Sequence, residues 1–359
     1  AGTEPVENVT FMRSNAFGPI KQECQTVRTS VGVCDISSFA KYEVTGARAE
    51  SWLDHILANT LPRQGRLALS PMLNQEGKLI GDFTVGRLDD RRFFIFGSGM
   101  GEEYHMRWFE QHLPADASVR IHAHGMGLLG LSIAGPKARN LLCRLTDDDV
   151  SAEAFRFMDF RSLDLGLIPT LTARVSFTGD LGYEFWVRPE FHARLWDDIL
   201  EKGEDLGIQP FGSRAMRSMS LEKGFGSWAT EYRPIYGPFA AGMGRFVSLN
   251  KGEFIGRESA LLENEQGPEK NLVTFTVDVA DCDVMGNEPI YQNDKIVGYV
   301  TSGMYSHFVD QSVALGYVPA DLANHTGSGA FDIEILGDMR PATIVPQALF
   351  DPDASRMRG

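Results

Sequence analysis

Two stretches of the chain carry the same pattern of apolar and polar positions. YEVTGARAESWLDHIL, from Tyr42, and LSIAGPKARNLLCRL, from Leu131, each begin with alternating residues, reach a glycine, and continue with apolar residues at helical spacing. Each therefore predicts a strand, a tight turn and a helix, one unit used twice. Gly46 and Gly135 stand at the same point of the two copies, where the absence of a side chain permits the strand-to-helix turn. A third unit follows: TARVSFTGDLGYEFWV alternates as a strand pair around Thr178, Gly179 and Asp180, and FHARLWDDILEKGEDLG reads as an amphipathic helix.

The pattern changes near residues 262–271, where the chain turns polar (LENEQGPEKN). Beyond it come short apolar runs separated by Gly-rich turns: NLVTFTVDV, KIVGYVTSG, SVALGYV, AFDIEIL and RPATIV. Regularly spaced short strands predict a separate small β-barrel or sandwich. The expected organisation is α+β, with antiparallel sheets covered by helices in residues 1–264, built as two interleaved subdomains, and a C-terminal β-barrel in residues 265–359.

Composition narrows the function. A length of 359 residues with 43% hydrophobic and 23% charged is ordinary for a globular protein with sizeable cores. No run approaches the roughly 18 apolar residues of a membrane helix, and the start lacks a signal-peptide layout. The formal net charge of -14 argues against holding a phosphate backbone. No membrane and no nucleic-acid partner is expected. Cys24, Cys34, Cys143 and Cys282 lie far apart without metal spacing and read as reduced, mostly buried thiols, which suits the cytoplasm or a mitochondrial matrix. The first residue is Ala rather than Met, as in a processed chain or a piece of a longer one.

Several local patterns mislead. His124 is followed by GMGLLG, a G-x-G-x-x-G match, and GSGMG occupies residues 97–101. A dinucleotide fingerprint leads from a strand into a helix, whereas Gly130 runs into the strand LSIAG, so turn glycines are the expected reading. His122 and His124, two apart on a strand, lack a third ligand, and no metal is expected. Nothing resembles a G-x-S-x-G elbow.

The informative segments are MLNQEGKLIGDFTV, SFTGDLGYEFW and SLEKGFGSWATEYRPIYGPFAAGMGRFVSLNKGEFIGRES. In order and spacing they resemble the folate-binding aminomethyltransferase of the glycine cleavage system, and more closely the C-terminal folate portion of dimethylglycine and sarcosine dehydrogenases. RSNAFGPIKQECQTVRTSVGVCDISSFAKYEVTG and GNEPIYQNDKIVGYVTSGMYSHFVDQSVALGYVP extend the likeness across about residues 11 to 350.

The resemblance implies three subdomains in a ring around tetrahydrofolate. It places Asp82 beside the reacting nitrogens, where a carboxylate relays a proton and stabilises a cationic one-carbon donor. It places Glu184 on the pterin's amino-pyrimidine N–H groups, a bidentate match for two carboxylate oxygens. Met72 and Leu73 match residues that would cover the flat ring and would serve equally as plain core; Tyr232 and Trp228 read as pocket wall or packing. Three positions depart from the family pattern. Phe177, placed by the resemblance among the folate-contacting residues, replaces a usual Tyr and so lacks its hydroxyl; Ser220 replaces a usual Arg, and Ala240 a usual Glu.

The implied activity is one-carbon transfer from a methylated amine, of dimethylglycine or sarcosine type, giving 5,10-methylenetetrahydrofolate. Oxidising an N-methyl group requires FAD, expected on a separate flavoprotein domain or partner. Two alternatives keep the fold: direct demethylation of a sulfonium such as dimethylsulfoniopropionate, or of an aryl ether, giving 5-methyltetrahydrofolate, and a non-catalytic folate-binding regulatory protein.

Overall fold

The computed structural model describes residues 6–359. Its first part holds two antiparallel-dominated sheets whose strands interleave along the chain. One sheet has six strands in the order Gln209–Pro210, Gly32–Asp35, Leu129–Ala134, Gly182–Val187, Ile168–Ala173 and Phe160–Leu165. The other has five, in the order Arg66–Leu73, Leu79–Asp89, Arg92–Gly97, Ala40–Thr45 and Arg120–Ala123. The architecture is α+β, as the hydrophobic pattern predicts.

The repeated unit is present in both copies. Tyr42 to Thr45 and Leu131 to Ala134 are strand, and the helices Ala49–Ile56 and Ala138–Leu145 follow. Gly46 and Gly135 adopt φ of 134° and 132°. A Cβ would fall 2.1 Å from the Ser118 carbonyl oxygen at Gly46 and 2.4 Å from that of Ser30 at Gly135. Glycine is therefore demanded twice over, by conformation and by space.

Side-chain alternation divides each sheet into an outer and an inner face. Tyr42, Phe83, Val85, Phe93 and Ile95 form the outer core of the five-stranded sheet with Trp52, Leu53 and Phe109. Ile133, Tyr183 and Phe185 do the same for the six-stranded sheet with Leu141, Leu142, Leu195 and Ile199. The inner faces meet in a third core containing Leu67, Phe94, Phe96, Phe160 and Trp186. Because the Gly182–Val187 strand is covered on both sides, all six of its residues are buried. Its partner strand ends at Ala173, and residues 174 to 181 form an irregular connection where the sequence suggests a tighter hairpin.

The C-terminal part closes six strands into a barrel, starting with Lys270–Val277. The Pro289–Gln292 strand completes it; its apolar run is too short to stand out in the sequence. The helix Ser213–Glu222 packs on the barrel strand Lys295–Ser306 and on the helix Phe17–Thr29, joining the two parts.

Gly125 to Gly127 form a short 3-10 turn leading into a strand. GSGMG does run from a strand into the helix Glu102–Gln111, contrary to expectation, but a Cβ on Gly99 would lie 1.8 Å from the Ser38 carbonyl oxygen. That glycine is used by the protein's own backbone. His122 is exposed, His124 bonds Glu43 at 3.1 Å, and no cluster of three metal-ligating side chains occurs among the described residues. All four cysteines are free; Cys24 and Cys34 are buried, whereas Cys143 is exposed and Cys282 half-buried. Among the described residues no helix is long and apolar enough to cross a membrane.

Candidate functional site

Register decides which side chains face the inner layer. On the strand Leu79–Asp89, Phe83 and Val85 belong to the outer core, so Asp82 and Thr84 point inward. Thr84 pairs with Phe96 of the neighbouring strand. On Gly182–Val187, Tyr183 and Phe185 belong to the other outer core, so Glu184 and Trp186 point inward. Phe96 and Trp186 then stack across the gap, centroids 4.9 Å apart. Asp82 and Glu184 thus face one interior layer from opposite sheets, each two residues from a position in that aromatic contact or paired with it.

Both carboxylates lack partners. Glu184 is 9% exposed and accepts no hydrogen bond among the described residues; burial alone pushes its pKa up to about 8. Asp82 is half-buried, but its Oδ1 is shut off from water and unbonded. Burial, reinforced by the nearby charge of Glu231, raises its pKa to about 7, against a smaller opposing backbone hydrogen bond. A buried polar group without a partner is costly, and in native proteins such a group calls for a specific explanation, a ligand among them.

Tyr232 and Trp228 come from the compact turn that follows the helix Ser213–Glu222. The backbone N–H groups of Glu231 and Tyr232 both donate to the Ser227 carbonyl, at 2.9 and 3.0 Å. The Tyr232 hydroxyl accepts from Gly226 N at 3.0 Å, and burial together with Asp82's charge holds the phenol above its ordinary pKa. Trp228 lies against His105, centroids 4.9 Å apart, with its Nε1 buried and unbonded. His105 in turn sits under the residue preceding Asp82, since a Cβ on Gly81 would be 3.3 Å from its Nε2. The structure therefore brings Asp82, Trp228 and Tyr232 together.

The remaining predicted residues are placed differently. Met72 and Leu73 have no exposed surface and sit in separate apolar cores, so in this conformation they present nothing to a ligand. Phe177 is half-buried and stacks on Phe225 at 6.0 Å. Ser220 is fully buried and donates to the Arg217 carbonyl at 2.9 Å. Ala240 N–H is one of two amides facing the Glu263 carboxylate, at 3.3 Å.

Glu231 is a site neighbour that the sequence reading passes over, although it stands between Trp228 and Tyr232. It is fully buried; its Oε2 takes Ser227 N at 2.8 Å, the Thr230 hydroxyl at 2.6 Å and Arg217 Nη2 at 3.0 Å. Burial raises its pKa, but Arg217 and the surrounding hydroxyls outweigh that and hold it below the usual carboxylate value. His105 was equally hidden, as one polar residue on an otherwise helical pattern. Burial lowers its pKa to about 4, which leaves it neutral at physiological pH.

A cavity of about 810 Å³ opens elsewhere, between residues 7–20, the start of the helix Ser213–Glu222 and the barrel. It contains none of the predicted site residues and touches the site only through Arg217, which also pairs with Glu231. The unpaired carboxylates, rather than the volume, locate the candidate site.

Comparison with known proteins gives the family and the fold. The pattern described as "GCVT N-terminal domain" matches residues 1–251, and "Glycine cleavage T-protein C-terminal barrel domain" matches residues 270–351. Mitochondrial dimethylglycine dehydrogenase of Mus musculus is 36% identical over 354 residues, covering 97% of this chain but 40% of that protein. Aminomethyltransferase of Chlorobium luteolum is 28% identical, with 96% of this chain and 94% of that protein covered. The solved structure of glycine cleavage system aminomethyltransferase T from Bartonella henselae superposes with a TM-score of 0.84 at 20% identity, over 97% of this chain and 94% of that one, which shows the shared fold.

The fold is that of a glycine cleavage system aminomethyltransferase. The chain belongs to the glycine cleavage T-protein family. It is homologous both to free-standing aminomethyltransferases and to part of dimethylglycine dehydrogenase, and it spans about two fifths of the latter's length.

Proposed function

We propose that this chain transfers a one-carbon unit from a methylated amine of the dimethylglycine or sarcosine type onto tetrahydrofolate, giving 5,10-methylenetetrahydrofolate. The observation that carries this reading is a pair of carboxylates facing one layer from opposite sheets: Asp82, whose Oδ1 is buried and unbonded, and Glu184, buried without a hydrogen bond from the described residues. Such groups call for a ligand with hydrogen-bond donors on one edge and a basic nitrogen near the other.

The residues present fit tetrahydrofolate in this respect. Glu184, with neither oxygen engaged, would hold the amino-pyrimidine N–H groups, and the ionised form would be favoured once they bind. Tetrahydrofolate supplies the nucleophilic nitrogens that receive the one-carbon unit. Asp82, titrating near neutrality, would take up the proton released as the new bond forms and balance the positive charge of an iminium donor. Trp228, Tyr232 and Phe96 would exclude water, which strengthens both effects.

Oxidation of the amine is assigned to FAD on a flavoprotein domain or partner outside this chain, in keeping with the oxidoreductase names and greater length of relatives such as dimethylglycine dehydrogenase. Compartment follows that partner, in cytoplasm or mitochondrial matrix. The deciding experiment supplies tetrahydrofolate and dimethylglycine to the chain with its flavoprotein and analyses the folate product. 5,10-Methylenetetrahydrofolate is expected. Production of 5-methyltetrahydrofolate, or transfer from a sulfonium without any flavin, would replace this reading with direct demethylation.

A further inference from the structure

Glu184 makes no hydrogen bond through its side chain, so only the placement of its strand fixes where its carboxylate stands. That strand is paired with neighbours on both edges, and the turn leading into it is anchored by a buried group of charges. Asp180, two residues before the Gly182–Val187 strand, is fully buried and accepts from Arg28 Nη1 at 2.5 Å on one oxygen; Arg356 Nη2 stands 2.7 Å from the other oxygen as an ion pair and donates its hydrogen bond to the Arg28 carbonyl at 2.7 Å. Arg28 also donates to the Thr178 carbonyl at 2.8 Å and pairs with Glu222. Glu222 receives Ser306 Oγ of the barrel at 2.8 Å. Lys223 donates to the Asp351 carbonyl at 2.6 Å, and its stem lies where a Cβ on Gly179 would be, 2.5 Å away. Arg28, Lys223 and Arg356 balance Asp180, Glu222 and Asp351, three charges of each sign.

This arrangement joins five separate pieces of chain: the helix Phe17–Thr29, the turn at residues 178–180, the end of the helix Ser213–Glu222, the end of the barrel strand Lys295–Ser306, and residues 351–356. SFTGD and SLEKG meet through Arg28, which pairs with Asp180 of the one and Glu222 of the other. Removing one member of a buried ion pair leaves the other uncompensated, so the group is held as a unit.

We propose that Asp180, gripped by Arg28 and Arg356, is a positioning residue for Glu184, so that the C-terminal residues control the ligand-binding strand without touching the ligand. The inference rests on the folate reading for its functional consequence, but not for its geometry. Arg356 is the accessible arm, its side chain 38% exposed, and so offers a variant that leaves the core intact.

The experiment compares the whole chain with Arg356→Gln and Arg356→Lys. Hydrogen exchange at the amides of residues 178–184 is expected to speed up by about tenfold or more in Arg356→Gln, as expected for a local opening that has lost an anchor. In the transfer assay its KM for tetrahydrofolate should rise about tenfold, with the saturated rate within about twofold of wild type, because a misplaced Glu184 weakens binding while Asp82 is untouched. Arg356→Lys should restore most of both. Asp180→Asn, if it folds, should show the same split more strongly. Native exchange at residues 178–184 in Arg356→Gln, or a loss confined to the saturated rate, would overturn the proposal. Failure of the wild-type chain to bind tetrahydrofolate in calorimetry would instead remove the folate reading, and the exchange data would still decide whether Arg356 holds the turn.

Discussion

Phe96 of one sheet and Trp186 of the other stack with ring centroids 4.9 Å apart and planes 21° apart. Through this contact the two halves of the site share a layer, because Thr84, which pairs with Phe96, is two residues from Asp82, and Trp186 is two residues from Glu184. Phe96→Ala should therefore do two things. It should destabilise the chain by about 3–5 kcal/mol, the usual range for emptying a buried aromatic position, and it should weaken tetrahydrofolate binding in the fraction that remains folded. Chemical denaturation beside calorimetry reads both; a variant that loses stability but binds normally would separate the stack from the site.

Glu184→Gln should fold and bind tetrahydrofolate about 1.5–3 kcal/mol more weakly, the worth of a charged hydrogen bond. Because burial holds the empty carboxyl near pKa 8 and the ligand favours its ionised form, binding at neutral pH should release a proton. Wild-type affinity should then rise with pH up to about 8, and the calorimetric heat at pH 7 should depend on the buffer. Glu184→Gln should show neither effect, and a wild-type affinity indifferent to pH would take Glu184 out of the contact.

The same carboxyl sets a stability trend in the absence of ligand. Its folded pKa of about 8 lies above its ordinary value, so the folded state binds the proton more tightly than the unfolded chain. That advantage is complete below the unfolded value and is lost as pH rises toward about 8. Glu184→Gln should melt higher than wild type at pH 8.5, with the gap narrowing as pH falls toward 5. Thermal scans across that range give the sign directly, and a gap that widens on acidification would be the wrong one.

Gly135→Ala tests the repeated unit. The φ of 132° and the approach of the Ser30 and Val27 carbonyl oxygens to within 2.4 and 2.6 Å of a Cβ leave no room for alanine. Backbone strain contributes about 1–3 kcal/mol and the overlap adds to it. Gly166→Ala, at φ 62° with nothing within 4 Å, is the control and should be milder in denaturant titration.

How much of this was legible beforehand follows from the range over which each determinant acts. The two strand-turn-helix units and five of the six barrel strands could be read because periodicity and turn glycines are local. Asp82, Glu184, Trp228 and Tyr232 came from the ordered motifs, not from pattern alone. The inner layer could not be read, since Phe96 meets Trp186 only after both sheets have formed. The unbroken burial of Gly182–Val187 likewise conceals which of its faces carries Glu184. Glu231 and Asp180 were visible only as acidic residues inside recognised motifs; their importance comes from Arg217, Arg28 and Arg356, which are distant in sequence or on another element. Met72 and Leu73 show the opposite case, a motif match that the packing places in the core.

The central claim is that Asp82 assists the transfer step. Its Oδ1 is buried and unbonded, so Asp82→Asn removes no hydrogen bond at that atom; it should leave tetrahydrofolate affinity near wild type and, because burial raises the wild-type carboxyl to about 7, should melt no lower than wild type at neutral pH. The amide can neither take up a proton nor balance a developing cation, and general acid–base assistance is typically worth about 100-fold to 10,000-fold. Stopped-flow measurement of one-carbon transfer at saturating tetrahydrofolate, with unfolding followed in parallel, should show a rate reduced by that factor in a chain no less stable than wild type. A variant destabilised by about 0.5–2 kcal/mol, the range for a lost turn or helix cap, but transferring at the wild-type rate would contradict the account.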